Sequence, residues 1–219
     1  MSNEFLNLDR LLLIDKPKGI TSFDVIRRLR KVHNIRKMGH AGTLDPLATG
    51  LMIIGVGKGT KKLTGFIKLD KEYEGEIEFG KISDTYDADG VIKNAYSGGP
   101  IERERIESAL LKFTGEFEQM PPIFSAKKIK GVPAYKLARK GEKVVLEPKK
   151  ITIHAIDIMA YEWPILRVRV RCSSGTYVRS LAHDLGEALG CGGYLTELRR
   201  TRIGAYSVDQ AEPLPERVP

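Results

Sequence analysis

Two stretches of strictly alternating residues constrain the fold of this chain more than any other feature. Within residues 73–79, apolar or small residues alternate with three glutamates, and within residues 166–171, apolar residues alternate with three arginines. Successive side chains of a β-strand point to opposite faces, so each stretch predicts a strand with one apolar and one charged face. Strands of this kind are typical of an antiparallel sheet that covers a core with one face.

Other periodic segments add buried strands and helices to this sheet. Residues 11–14 and 51–55 are fully apolar, which predicts buried strands, and residues 151–159 predict another strand. Capping-box spacing at residues 21–24 begins a helix, and two further helices are predicted near residues 106–113 and 177–189. The apolar residues of the first helix recur at helical spacing: Phe23, Ile26, Leu29 and Val32. The chain is therefore predicted to be an α+β domain with a mixed, largely antiparallel sheet and flanking helices.

Residues 39–50, with the sequence GHAGTLDPLATG, have no hydrophobic period of either kind. The proline that follows keeps Asp45 out of the α region, so Asp45 projects from a turn or an extended segment. Asp, Pro, Thr and Gly are also the ordinary residues of turns and helix caps. From the residues alone, Asp45 is either a turn residue or a carboxylate presented for catalysis.

An excess of basic residues points to an anionic partner. The 219 residues include 36 Lys and Arg against 28 Asp and Glu, which gives a net charge of +8 and a pI near 9.4. This balance favours nucleic acid as a partner. Lysines and arginines are dense between residues 121 and 150, where Phe124 and Tyr135 are interleaved with them. A solvated basic surface and a surface for single-stranded nucleic acid both fit this pattern.

Several other kinds of site do not fit the sequence. Residues 55–60 lack the spacing of a phosphate-binding loop, and residues 84–90 lack the terminal acidic ligands of a calcium loop. His183 has neither a second histidine nor a cysteine pair nearby, so a structural histidine is expected. We therefore expect no metal and no cofactor. Two cysteines build no disulfide framework, and neither a secretory signal nor a membrane-spanning run is visible, so a cytoplasmic protein is expected.

The segment GHAGTLDPLATG resembles the signature of the bacterial-type tRNA pseudouridine synthase B family, and further segments match that family in the order it expects. These segments are KPKGITS at 16–22, KEYE at 71–74, DTYDADG at 84–90, PPIFSA at 121–126, SGTYVR at 174–179 and LRRT at 198–201. The LATG ending favours the stand-alone bacterial type over guide-RNA-dependent relatives. The resemblance implies a pseudouridine-synthase-like fold, with residues 121–150 as an RNA-gripping insertion that we call the thumb.

The resemblance also implies a reaction, the conversion of uridine 55 in the tRNA T loop to pseudouridine after the base is flipped out. Asp45 is implied as the nucleophile and Arg179 as the cation that keeps its carboxylate ionised. Tyr73 is implied to stack on the flipped base. The pocket residues implied by the resemblance are Tyr177 and Leu198, with His40 filling space in the loop. Further RNA contacts are implied for Lys16, Lys127, Lys128, Lys130, Arg139, Arg199 and Arg200.

The expected organisation is a catalytic domain over residues 1–212 and a tail over residues 213–219. Family members commonly continue into a C-terminal RNA-binding domain of the PUA type, which we do not expect here. The expected partner is the T arm of tRNA, with no membrane and no obligate protein partner, and the protein is expected to be a monomer. Two alternatives are a guide-RNA-dependent pseudouridine synthase subunit and a non-catalytic RNA-binding or RNA-folding protein.

Overall fold

The computed structural model of the protein describes residues 10–125, 128–129, 131–134, 137 and 144–216. The chain forms two compact units, one of Met1–Tyr73 with Leu198–Pro219 and one of Glu74–Glu197. The chain passes between the units within two strands, β4 (Lys71–Phe79) and β12 (Gly193–Ile203). Within the ranges given above, no helix has the length and apolar character needed to cross a membrane.

The first unit contains a sheet in the order β14–β1–β3–β12, and β2 also pairs with β3. β1 and β3 are antiparallel, whereas β3 runs parallel to β12 and β1 runs parallel to β14. The elements are β1 (Leu11–Lys16), α1 (Ser22–His33), β2 (Met38–His40), β3 (Thr49–Val56), a 3-10 helix (Gly57–Lys62), α2 (Leu63–Ile67), β13 (Tyr206–Ser207), a second 3-10 helix (Val208–Gln210) and β14 (Glu212–Pro213).

Helix α1 begins where the capping-box spacing predicted. The Asp24 amide donates to the Thr21 hydroxyl oxygen at 3.1 Å, and the Thr21 amide donates to the Asp24 carboxylate at 2.9 Å. Its predicted apolar face was wrong at Phe23, which is 55% exposed and lies beneath the Arg30 guanidinium, 5.7 Å from the ring centroid. Residues of α1 that are buried are Ser22, Val25, Ile26 and Leu29.

The second unit contains a sheet in which β4, β11, β10 and β7 are successive neighbours. β10 is antiparallel to both β11 and β7, which confirms the largely antiparallel sheet. The remaining elements are β5 (Lys81–Ser83), β6 (Ile92–Asn94), α3 (Arg103–Leu111), β7 (Gly115–Gln119), β8 (Lys128–Ile129), β9 (Val132–Pro133), β10 (Lys149–Glu162), β11 (Ile165–Cys172) and α4 (Val178–Leu189).

The two alternating stretches form neighbouring strands whose charged faces match. Arg169 donates to the Glu74 carboxylate at 2.8 Å, and Arg167 donates to the Glu76 carboxylate at 2.9 Å. Residues on the opposite face of β11, such as Val168 and Val170, are fully buried. The acidic pattern of one strand and the basic pattern of the other are thus complementary, and these two arginines are engaged with carboxylates of the same unit.

Candidate active site

The backbone of the loop that carries Asp45 accepts hydrogen bonds from Lys16, the last residue of β1. The Lys16 side chain is fully buried, and its Nζ donates to the carbonyls of Ala48 at 2.6 Å, Pro17 at 2.9 Å and Pro46 at 3.3 Å. A buried ammonium needs such acceptors because it has lost its water. These three hydrogen bonds assign Lys16 to support of the loop backbone, and its predicted RNA contact stays a prediction.

Ser22, the first residue of α1, holds the loop on the N-terminal side of Asp45. Its hydroxyl is buried, donates to the Leu44 carbonyl at 2.9 Å and accepts from the Leu44 amide at 2.8 Å. Both backbone polar groups of the residue before Asp45 are therefore satisfied by one side chain. No site role is predicted for Ser22 from the sequence, although it lies next to the capping residue in the KPKGITS motif.

Arg200, on β12, holds the two ends of the loop. This side chain is 1% exposed, and it donates to the carbonyls of Leu51 at 2.8 Å and Gly42 at 3.2 Å. Gly50 has a φ of +102°, and a Cβ there would lie 2.3 Å from the Arg200 carbonyl oxygen, so only glycine fits. Arg200 thus supports the loop from within the fold, and its predicted RNA contact stays a prediction.

Asp45 lies between these fixed points and is itself half-buried. Its neighbours Leu44 and Leu47 are 4% and 5% exposed, and the Ala48 amide donates to the Asp45 carbonyl at 3.1 Å. Asp45 thus begins a turn, which agrees with the interpretation of Asp45 as a turn residue. A turn anchored on both sides also presents a carboxylate in a defined position, which is the preorganisation that catalysis requires.

His40 ends β2 at the start of the loop and is half-buried. Burial and the positive charge of Arg200 lower the pKa of His40 below its ordinary value of 6.5. The imidazole is therefore neutral near pH 7. A neutral side chain fits the expected space-filling role better than an ion pair with an RNA phosphate.

Leu198 and Tyr73 lie in the first unit on two neighbouring strands, β12 and β4. Arg199 is opposite Thr49 in the pairing of β12 with β3, and the Thr49 hydroxyl donates to the Leu198 carbonyl at 3.4 Å. On β4, Glu72 accepts a hydrogen bond from the Thr201 hydroxyl at 2.8 Å, and the next residue, Tyr73, is 8% exposed. Leu198 therefore lies beside the end of the Asp45 loop, and Tyr73 lies on the strand next to that of Leu198.

Arg199 follows Leu198 on β12, and its side chain is partly exposed to solvent. Its guanidinium binds the Asp15 carboxylate through two contacts, at 2.6 and 3.1 Å, and its side chain is 40% exposed. The predicted RNA contact of Arg199 stays a prediction.

In the second unit, Arg179 is 5% exposed and binds Asp87, which is 3% exposed. Its Nη1 lies 3.2 Å from the Asp87 carboxylate and donates to the Thr85 carbonyl at 3.3 Å, while Nη2 donates to the Phe124 carbonyl at 3.0 Å. Asp87 also accepts from the Thr85 hydroxyl at 2.6 Å and the Asp89 amide at 3.1 Å. Sequence reasoning found Asp87 only as part of the DTYDADG motif and did not predict that it would bind Arg179.

Tyr177 is the N-cap of α4 and is half-buried. Its backbone is fixed by Gln119, whose side chain accepts from the Tyr177 amide at 2.8 Å and donates to the Tyr177 carbonyl at 3.0 Å. The Gln119 side chain is buried. A two-sided amide contact of this kind orients the residue just before the helix that carries Arg179.

The thumb is described only in part. Lys127, Lys130 and Arg139 lie outside the described residues, and for Lys128 the structure gives only the backbone, in β8. Across the described ranges, no three His, Cys, Asp or Glu residues are grouped as a metal site requires.

Comparison with known proteins identifies the family. A family model described as TruB family pseudouridylate synthase (N terminal domain) matches residues 30–178. This chain belongs to the TruB family. A second model, described as tRNA pseudouridylate synthase B C-terminal domain, matches residues 179–214. The family inferred from the ordered motifs is thereby confirmed.

Curated TruB relatives align with nearly the whole chain. The tRNA pseudouridine synthase B of Opitutus terrae is 46% identical over 217 residues, which cover 95% of this chain and 90% of that protein. The tRNA pseudouridine synthase B of Aquifex aeolicus is 47% identical over 211 residues, covering 95% of this chain and 73% of that protein.

Solved structures show the same fold. A Cbf5-Nop10-Gar1 complex contains a chain that is 29% identical, with a TM-score of 0.73 over 93% of this chain. An H/ACA RNP bound to a substrate RNA contains one that is 26% identical, with a TM-score of 0.70 over 93% of this chain. This chain covers 52% and 50% of those two chains.

Proposed function

We propose that this protein converts uridine to pseudouridine in tRNA, and that Asp45 is the residue that acts on the nucleotide. The observation that carries the proposal is the anchored half-buried carboxylate of Asp45, presented by the GHAGTLDPLATG loop of a TruB-family chain. Relatives at 46% and 47% identity bear the name tRNA pseudouridine synthase B, and their similarity extends over 95% of the chain. The protein is therefore an isomerase with tRNA as its substrate.

We further propose that the target is uridine 55 in the T loop of tRNA. The enzyme is proposed to be a monomer and to act in the cytoplasm. The excess of basic residues, a net charge of +8, supports binding of a polyanion of this size. Identity to the curated tRNA enzymes exceeds identity to the H/ACA chains, 46–47% against 26–29%. This difference favours a stand-alone enzyme over a guide-RNA-dependent subunit.

The chemistry exchanges one bond of the nucleotide for another. The bond between N1 of uracil and C1′ of ribose breaks, the base turns, C5 bonds to C1′, the proton on C5 leaves, and N1 gains a proton. A carboxylate serves this reaction either by attacking C1′ covalently, with C5 later displacing it, or by stabilising positive charge at C1′ and removing a proton from C2′ that returns when C5 bonds to C1′. Both routes need a carboxylate that is ionised and held in place, and Lys16, Ser22 and Arg200 fix the backbone on which Asp45 stands.

The supporting residues are proposed in the roles that the resemblance implies. Because the target base is stacked within the RNA, it must leave the stack before Asp45 can reach its sugar. We assign Tyr73 to stacking on the flipped base, Tyr177 and Leu198 to the pocket wall, and neutral His40 to the volume beside the base. That Arg179 acts as the cationic partner of the catalytic carboxylate stays a prediction.

The test is conversion of unmodified tRNA transcript by the wild-type protein and by Asp45→Asn, with pseudouridine mapped chemically at single-nucleotide resolution. We expect product at position 55 from the wild type only, with the dissociation constant for tRNA within about threefold in the variant, because a single uncharged isostere leaves the phosphate contacts in place. Product from Asp45→Asn at a comparable rate would overturn the assignment of Asp45.

The same assay tests the two alternatives. A guide-RNA-dependent subunit would convert the transcript only after a guide RNA and protein partners are added. A non-catalytic RNA-binding protein would bind the transcript equally well with either residue at position 45 and give no product under any condition.

A further inference from the structure

Three consecutive residues of the turn that follows β5 contact a single face of α4. The Thr85 carbonyl and the Asp87 carboxylate both accept from Arg179. Between them, the Tyr86 ring stacks on the His183 ring, with centroids 3.9 Å apart and planes inclined by 8°. Arg179 and His183 are four residues apart and so lie one helical turn apart on the same face. The turn is therefore attached to the helix at two successive levels.

Tyr86 adopts a backbone conformation that favours glycine. Tyr86 has a φ of +66°, in the left-handed region that side chains other than Gly, Asn and Asp rarely adopt. The conformation is fixed from outside, since the Tyr86 amide donates to Ser83 at 3.1 Å and its carbonyl accepts from the Leu195 amide at 3.0 Å. A side chain at this φ costs free energy, and the stacking contact with His183 acts in the opposite direction.

The stack lies directly beside the buried ion pair. Tyr86 precedes Asp87 in sequence, and the Ala88 amide donates to the Leu195 carbonyl at 3.0 Å, so Asp87 is bracketed by fixed residues. Both stacked rings are half-buried, with the acidic side chains of Asp184 and Glu187 nearby on α4. Burial, reinforced by these two charges, raises the pKa of Tyr86, so its phenol is neutral at physiological pH.

We propose that Tyr86 and His183 are positioning residues whose stacking sets the Asp87 carboxylate against Arg179. This inference rests on the proposed function, because Arg179 is a site residue only if the protein is a pseudouridine synthase. Backbone hydrogen bonds hold Tyr86 and Ala88 to Ser83 and Leu195, and the stack adds the side-chain contact that sets the distance of this turn from α4. Loss of the stack lets the carboxylate move away from the guanidinium and lowers the rate of the chemical step, while RNA phosphate contacts are unaffected.

The experiment compares Tyr86→Gly, which keeps the positive φ without strain, with Tyr86→Phe, which keeps the ring. We expect Tyr86→Gly to lower kcat about fivefold to tenfold, as loss of one aromatic contact predicts, with KM for tRNA changed less than about twofold. Tyr86→Phe is expected to retain kcat within about twofold, because stacking does not need the hydroxyl. His183→Ala should match Tyr86→Gly, and the double variant should be no slower than either single variant.

A matched control and a second background separate positioning from general support of the fold. Tyr96→Ala removes another aromatic contact of the second unit, with the Trp163 ring 5.9 Å away, and should leave kcat unchanged. In an Asp87→Asn background, Tyr86→Gly should give no further loss of single-turnover rate, because its effect acts through Asp87. An equal loss in both backgrounds, or a wild-type kcat for Tyr86→Gly, would overturn the inference. Absence of product from the wild-type protein would instead overturn the proposed function.

Discussion

Replacement of Asp87 by alanine should destabilise this protein strongly, because it removes a buried carboxylate that binds a buried guanidinium. The side chains of Arg179 and Asp87 are only 6% and 5% exposed, so water does not replace the lost partner. Removal of one member of a buried ion pair costs about 3–5 kcal/mol. The substitution also removes the acceptor of the Thr85 hydroxyl and the Asp89 amide. We therefore expect the upper half of that range.

For a chain of 219 residues, each kcal/mol corresponds to about 2–4 °C in Tm, so the expected decrease is about 8–20 °C. Thermal unfolding followed by circular dichroism measures it, and urea unfolding gives the free energy independently. The matched control is Glu107→Ala, which breaks a 2.8 Å pair with Arg103 in the same unit. Both side chains of that pair are about half exposed, at 52% and 51%, so its loss should cost less than about 1 kcal/mol. Equal Tm changes in the two variants would refute the reasoning from burial.

Three further predictions concern the Asp45 loop and the thumb. Ser22→Ala should lower the free energy of unfolding by about 1–3 kcal/mol, because both backbone polar groups of Leu44 lose their partner. The control is Ser108→Ala, at an exposed hydroxyl that donates to the Glu104 carbonyl, and it should change the free energy of unfolding by less than about 0.5 kcal/mol. The lowered pKa of His40 means that its contribution to stability is complete above pH 6.5 and is lost as the pH falls, because the unfolded chain then takes up the proton more readily. His40→Gln should consequently show a smaller decrease in Tm than the wild type between about pH 7.5 and about pH 5.5; an unchanged decrease would show that other groups are responsible. Combined replacement of Lys127, Lys128 and Lys130 by glutamine should reduce the slope of log affinity for tRNA against log salt by about 2–3, and an unchanged slope would remove the thumb from the RNA contacts.

The sequence predicted those parts of the fold that depend on local periodicity. The alternating stretches became β4 and β11, and the capping box began α1 where predicted, because strand faces and caps are set by residues a few positions apart. The face of α1 was less predictable. Phe23 and Val25 are two residues apart and so lie on nearly opposite sides of the helix, and which side is buried depends on what packs against it.

The roles of Lys16 and Arg200 could not be read from the sequence for a different reason. The acceptors of Lys16 include a carbonyl 32 residues away, and those of Arg200 are 149 and 158 residues away. No local pattern distinguishes a lysine that ends in solvent from one that ends among carbonyls contributed by a distant loop. The partner of Arg179 in the second unit, Asp87, is 92 residues away and belongs to the same class of long-range contact.

The full burial of Lys16 has a consequence for measuring motion in this protein. An amine with no exposed surface reacts with an amine-selective reagent only when the loop over it opens, whereas exposed lysines such as Lys61 and Lys68 react at once. The labelling rate of Lys16 therefore counts opening events of the segment that carries Asp45. Peptide mass spectrometry of Lys16 labelling would therefore measure the rate at which this loop opens, without any engineered probe.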